Sequence, residues 1–443
     1  MSRPILLAAS AALLTLSACG GPEALDPAAG FGPDPVLPAP QRSLFPRVNV
    51  AEAVGWPAGR MPVAAPGFRV QAFASGLDHP RWIYRLPNGD ILVAETNAPP
   101  RPDDKKGGLR GWAEGLVMKK AGARAPSANR ITLLRDADGD GIAETKTAFL
   151  ENLTSPFGMA LVGDTLYVAN ADAVVAFPYQ AGQTRIAAAA RKIVDLPAQR
   201  NHHWTKSLVA SADGSRLYVG VGSNSNIGEN GLDEEAGRAA IWEIDPSTGT
   251  HRIYASGLRN PVGLAWQPDS GKLWVSVNER DELGNDLVPD YMTSVTPGAF
   301  YGWPWSYYGQ IVDKRVEPAN PDMVARALKP DYALGSHTAS LGLTFGEGPL
   351  FPARYRGGAF VGQHGSWNRT PRNGYRVIFV PFANGTPAGP PQDVLSGFIN
   401  EEDQAMGRPV GVQFDRLGAL LVADDVGNVI WRVSPTTAAS AAP

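Results

Sequence analysis

The chain contains one cysteine and six histidines, and only 19% of its 443 residues are charged. Each scarcity closes off a class of protein. The single cysteine, Cys19, rules out disulfides within the chain and any cysteine-based metal site. Past the N-terminus no apolar run reaches the roughly 18 residues a membrane span needs. A net charge of −3 leaves no strongly basic face, so nucleic acid is not expected as a partner. There is no Gly-rich phosphate loop, no Gly-x-Ser-x-Gly elbow and no His-Glu-x-x-His, which removes the usual nucleotide, serine-hydrolase and zinc-protease readings.

Glycine and proline are plentiful, at 49 and 39, and dispersed, which suits a turn-rich all-β chain. Residues 1–19 read as a lipoprotein signal peptide: Arg3, an apolar run from Ile5 to Leu16, then Leu16-Ser17-Ala18-Cys19. Cys19 is the expected lipidation site, and a plain signal peptide with an incidental cysteine is the alternative. One lipidated end would tether a soluble domain to the periplasmic side of a bacterial membrane. Residues 20–45, rich in Pro, Gly and Ala, read as a disordered linker; 46–436 read as the folded domain and 437–443 as a tail.

From about residue 67 a loose unit recurs six times: an opening with Pro or Arg, an apolar run, a Gly/Asp/Asn turn and a second apolar run. The second runs are Ile91–Glu95, Leu166–Asn170, Leu217–Gly220, Leu273–Asn278, Ala359–Gly362 and Leu420–Asp424. Each copy is a β-hairpin by its signals, and the spacing leaves room for two more strands. Repeats of this size predict an all-β fold, a six-bladed β-propeller, rather than a sandwich. The start of a hairpin's first strand lies beside the end of its second. One face of the disc should therefore carry Arg81, Phe157, His203, Arg259 with Asn260, and Arg408. It should also carry Glu95, Asn170, Asn278, Asp424 and His364. Arginines at what reads as one repeat position would attract an anion with several carboxylates or phosphates.

On that face His203 can serve as general base, while His202 points to the other side of the strand. Asn278-Glu279-Arg280-Asp281 is an oxygen-rich loop of the kind Ca²⁺ uses, or a solvated loop. Tyr301-Gly302-Trp303-Pro304-Trp305 offers a stacking wall for a planar cofactor or sugar, and equally a blade-packing cluster. His364-Gly365-Ser366-Trp367-Asn368-Arg369 is similar in character. Asp136-Ala137-Asp138-Gly139-Asp140-Gly141 with Glu144 starts like a calcium loop, but Thr147 stands where the bidentate Glu belongs, which favours an acidic turn.

Taken together, His203, Leu258-Arg259-Asn260-Pro261, Asn278–Asp281, Tyr301–Pro304 and His364–Arg369 resemble the sorbosone dehydrogenase family. That family is a branch of the soluble glucose dehydrogenase-like quinoproteins, which use pyrroloquinoline quinone (PQQ). The resemblance spans about residues 65–435 and implies a six-bladed propeller. It implies that His203 takes the substrate hydroxyl proton, that Arg259, accompanied by Asn260, polarises the accepting quinone carbonyl, and that Arg408 pairs with a cofactor carboxylate. It further implies that backbone oxygens of Asn278, Glu279, Arg280 and Asp281 hold Ca²⁺. Arg81, Trp303, Trp367 and Arg369 are the remaining candidates around the cofactor. His202 replaces the family's Asp before the base, Glu279-Arg280 replaces its Gly-Pro, and its cofactor lysine has no match, with Trp367 or Arg369 in that area. The implied reaction is oxidation of a sugar lactol, a hydrated aldehyde or a related alcohol, with electrons passed to a cytochrome or quinone. A calcium-dependent propeller lactonase and a non-catalytic glycan- or protein-binding propeller are the competing readings.

Overall fold

The computed structural model describes residues 25–41, 48–100 and 126–436. Within them six blades of four antiparallel strands form, three of them extended by a short fifth strand, and each contains one of the hairpin repeats as its first two strands. Blade 1 comprises Pro80–Arg85, Ile91–Glu95, Arg130–Arg135 and Thr145–Leu150. Blade 2 runs Met159–Val162, Thr165–Ala169, Ala173–Pro178 and Arg191–Asp195. Blade 3 is Leu208–Ala210, Leu217–Val221, Ala240–Ile244 and His251–Ser256. Blade 4 has Pro261–Trp266, Leu273–Val277, Pro289–Val295 and Tyr332–Ser336. Blade 5 is Ser340–Phe345, Ala359–Gln363, Arg376–Val380 and Gln392–Ser396. Blade 6 combines Pro409–Phe414, Leu420–Asp424 and Val429–Pro435 with Phe68–Ser75 from the start of the domain. That last pairing closes the ring with a strand from each end of the chain, so no blade is left with an unpaired junction.

Every residue of the second strands of blades 1, 3, 4, 5 and 6 is buried. A blade packs against a neighbour on each face, so these strands are apolar nearly throughout instead of alternating. The repeat's glycines have a separate cause. A Cβ on Gly158 would stand 2.2 Å from Leu208 N in blade 3, and one on Gly411 would stand 2.7 Å from Arg81 O in blade 1. Only a residue without a side chain lets neighbouring inner strands approach this closely around the axis.

The described part of the stretch read as a linker is laid along the propeller. Phe31–Gly32 pairs with the outer strand of blade 4, and Gln41 N donates to Leu283 O at 2.9 Å. Val63–Ala64 does the same for blade 5. Between them, Asn49–Trp56 crosses the edge of blades 5 and 6, where Trp56 Nε1 donates to Asp424 Oδ2 at 2.7 Å. Cys19 lies outside the described residues, and among those described no helix is long and apolar enough to cross a membrane.

Candidate active site

In each hairpin one residue pair sets the register at the mouth of the channel. Pro80 faces Glu95, Pro261 faces Val277, Ser340 faces Gln363 and Pro409 faces Asp424. His79, Asn260 and Arg408 therefore share one position, immediately before the paired residue. Arg81 comes one residue after it and Arg259 two before. The arginines thus do not occupy one repeat position: counted from the paired proline they stand one after, two before and one before. They nevertheless come to one face of the disc, as the hairpin geometry requires.

His203 lies half-buried at the opening of blade 3. Its Nδ1 is 2.8 Å from Ser223 O and 3.0 Å from Ser223 Oγ. A carbonyl only accepts, and Ser223 Oγ gives its own proton to Ser225 O at 2.6 Å. Nδ1 must therefore carry the hydrogen, which leaves the lone pair of the neutral ring on Nε2. Gly222 holds this arrangement open: a Cβ there would stand 2.5 Å from both His203 Cβ and Asn260 Oδ1. Asn260 is buried, and its Oδ1 accepts no hydrogen bond.

An arginine and two histidines gather across the axis around Asp425. Arg81 Nη1 lies 2.6 Å from Asp425 Oδ2, His364 Nε2 2.9 Å from it and His79 Nε2 3.6 Å. Burial pushes His364 down to about 4, so it is neutral near pH 7 and gives its Nε2–H to the carboxylate. Burial alone would raise Asp425, but His364, His79 and Arg81 together pull it well below the usual carboxylate range. Arg408 has no carboxylate partner among the described residues. It is 5% exposed, donates from Nη2 to Ala51 O at 3.0 Å and stands 5.5 Å from the Tyr375 ring centroid, and its Nε has no acceptor. Among the described residues twelve buried side-chain polar atoms lack a hydrogen-bond partner. His79 Nε2, Arg81 Nε, Asn260 Oδ1 and Arg408 Nε are four of these. Buried polar atoms are normally paired, so their concentration here marks a place built for a polar ligand.

The loop expected to hold calcium is already filled by a cation of the protein. Arg259 Nη1 donates to Glu279 O at 2.7 Å and to Asn278 O at 3.3 Å, and its Nη2 reaches Asp281 Oδ2 at 3.3 Å. Nε and Nη2 also donate to Asn226 O and Oδ1, at 3.2 and 2.9 Å. All five N–H groups of Arg259 thus have protein acceptors, and none remains to polarise a quinone carbonyl. Asp281 is shared between Asn368 Nδ2 at 2.8 Å, His337 Nδ1 at 3.3 Å and Arg259. Asp281 O accepts from Arg315 Nη1 at 2.9 Å. Arg280 is fully buried between Glu279 and Asp313, at 3.0 and 3.3 Å, and anchors the 304–306 turn. A guanidinium occupies the oxygens that the metal assignment needed. Residues 278–281 therefore do not fit Ca²⁺ in this arrangement.

Two further candidates also differ from expectation. Trp303 is 3% exposed and donates Nε1 to Asn226 O at 3.0 Å, so it packs under the loop and offers no stacking face. Arg369 is 1% exposed and is spent on Asn285 O, Pro371 O and Asp286. Trp367, at 39%, does present an open ring. Asp136, Asp138, Asp140 and Glu144 lie within 4.8 Å of one another. They join the third and fourth strands of blade 1, on the face opposite His203. His79 and Asp425 were passed over in the sequence. Their signals were the His-Pro-Arg opening of the first copy and the Asp424-Asp425 doublet closing the last.

Against known proteins the likeness runs the length of the propeller. A 30% identical protein of Borreliella burgdorferi, described only as uncharacterized, matches over 239 residues, 52% of this chain and 60% of that one. A pyrroloquinoline quinone-dependent pyranose dehydrogenase of Coprinopsis cinerea is 23% identical over 361 residues, 72% of this chain and 44% of that one. The chain thus spans about half the length of these relatives. The holo form of the PQQ domain of the Coprinopsis enzyme superposes with a TM-score of 0.68 at 21% identity, covering 87% of this chain and 100% of that one. The TrAA12-like family profile matches residues 126–296 and 311–436, well over half of the 443 residues. The chain belongs to the TrAA12-like family.

Proposed function

We propose that the protein is a PQQ-dependent oxidoreductase acting on sugars, oxidising a lactol, a sorbosone-like hydrated aldehyde or a related alcohol to the lactone or acid. One observation carries the reading: the buried Arg408 guanidinium has no carboxylate partner among the described residues, and with Arg81 it lies near His364 at the channel mouth. An uncompensated buried cation is costly, and a bound anion offsets that cost. PQQ carries three carboxylates on a planar ring. Arg408, Arg81 and His79 suit the carboxylates, and the open Trp367 ring suits a planar or sugar surface. The Coprinopsis relative, named as PQQ-dependent, supports the same choice. When bound, PQQ supplies the two-electron acceptor for the hydride leaving the substrate carbon.

The chain's own part centres on His203. Its Nε2 takes the proton from the substrate hydroxyl, and the resulting imidazolium keeps its Nδ1–H on Ser223 O. Arg259 acts through the loop it clamps, fixing Asn226, Glu279 and Asp281 beside the base. No step is assigned to calcium, because Arg259 takes up oxygens of Asn278, Glu279 and Asp281. Attachment to a membrane through Cys19, a periplasmic location and transfer of electrons to a cytochrome or quinone complete the proposal.

The test is titration of the purified, cofactor-free protein with PQQ, with and without added Ca²⁺, followed by dye reduction over a panel of sugars. Saturable spectral change and sugar-dependent dye reduction are expected. Absence of any spectral change on titration would overturn the proposal.

A further inference from the structure

We propose that Lys206 and Arg238 are positioning residues for the base and act through Asn201, an inference that rests on the role given to His203 above. Asn201 Oδ1 accepts from Lys206 Nζ at 3.0 Å and from Arg238 Nη1 at 3.2 Å. Its Nδ2 donates to Ala171 O of blade 2 at 2.9 Å. Lys206 Nζ also donates to Trp204 O at 3.0 Å, and Arg238 Nη1 reaches Gly222 O at 3.5 Å. The two sides of the base's own stretch, Asn201 before it and Trp204 after it, are thus tied to one ammonium. The Gly222–Ser223 segment that receives the His203 Nδ1–H is tied to the guanidinium.

The chemistry of the node makes it directional. An amide oxygen between two cationic donors has only one orientation, since turning the amide over would set its NH₂ against both. With the amide fixed, its other end meets Ala171 O, and the stretch is registered on blade 2. Packing alone would not call for this construction. Asn201, Lys206 and Arg238 are 6%, 0% and 7% exposed, and neither cation touches a carboxylate among the described residues. A buried ammonium carries a desolvation cost that a methionine of similar length would avoid. Burial first, then Arg238, drives the Lys206 ammonium well below its ordinary range.

The test uses Lys206→Met and Arg238→Met in the full chain. The first readout needs no cofactor: the ¹⁵N shifts of the His203 ring, assigned by loss of signal in His203→Ala. The wild type is expected to show the single Nδ1–H tautomer, and both variants a mixture. The second readout is steady-state turnover of the PQQ-loaded protein. Loss of about 10- to 100-fold in kcat is expected, with KM and PQQ affinity within about twofold, as for a group displaced by an ångström or less. Arg238→Met keeps the Lys206 contact and decides the matter if Lys206→Met does not fold. Folded variants with unchanged His203 shifts would overturn the proposal. If the wild type fails to bind PQQ, the proposed function falls, and the tautomer measurement still decides this one.

Discussion

Replacing Arg408 with methionine separates a ligand-binding arginine from a structural one. In the cofactor-free protein the guanidinium gives one hydrogen bond to Ala51 O at 3.0 Å and stacks near Tyr375 at 5.5 Å. A hydrogen bond from a charged donor contributes about 1.5–3 kcal/mol and a cation–π contact about 1–2 kcal/mol. Against these stands a desolvation cost of several kcal/mol for a cation that is 5% exposed and lacks an ionic partner. The terms nearly cancel, so Arg408→Met is expected to change the stability of the cofactor-free protein by about 1 kcal/mol or less, in either direction. The bound state is different. There a PQQ carboxylate supplies the missing partner, and removing one side of a buried charge pair costs about 2–5 kcal/mol. That corresponds to a loss of roughly 30- to 4,000-fold in PQQ affinity. Urea denaturation without cofactor and absorbance titration with it measure the two quantities on one preparation. A variant markedly destabilised without PQQ, yet with unchanged affinity, would show that Arg408 is a scaffold residue and refute the reasoning.

Other consequences follow from the same geometry. His203→Ala is expected to lower kcat by about 10²–10⁴-fold while PQQ titration is unaffected, because general-base removal at this scale leaves binding intact; parallel loss of binding would place His203 in the scaffold. Gly222→Ala drives a methyl into His203 and Asn260 at 2.5 Å, so turnover is expected to fall further than the melting temperature suggests, a comparison that activity assays and calorimetry make directly. For pH, His364 titrates near 6.5 when unfolded and is held to about 4 when folded, so the unfolded chain binds the proton first as pH drops. Its contribution is full above 6.5, declines through the interval and is gone below about 4, a total of about 3 kcal/mol. His364→Asn should flatten the melting temperature between these limits, and an unchanged slope would contradict the assignment.

The propeller was legible in the sequence because its physics is local. Hairpins announce themselves through turn residues, and burial on both faces writes continuous apolar runs such as Leu217–Val221. His203 and Asn260 could be placed on the right face because strand antiparallelism fixes which ends meet. Position along the strand was less legible. Arg81, Arg259 and Arg408 read as equivalent, but they differ by up to three residues once Pro80, Pro261 and Pro409 are aligned by the strand partners they face. The blade-closing strand Phe68–Ser75 pairs with a segment more than 350 residues away, and nothing in either stretch names the other.

The loop at 278–281 shows why a site can be misread even when its residues are correctly singled out. Carbonyl and carboxylate oxygens converging on one point need a cation, and the sequence cannot distinguish a metal ion from a guanidinium that arrives from another strand. Here the cation is Arg259, two residues before the proline that opens blade 4, and it draws on Asn278, Glu279 and Asp281 at once. The same clamp commits the Arg259 donors and takes up oxygens of Asn278, Glu279 and Asp281. The residue left with an unmet charge is Arg408, on the far side of the channel, where no carboxylate among the described residues answers it. The anion-binding capacity expected of several arginines thus rests chiefly on that one residue, with Arg81 already paired to Asp425.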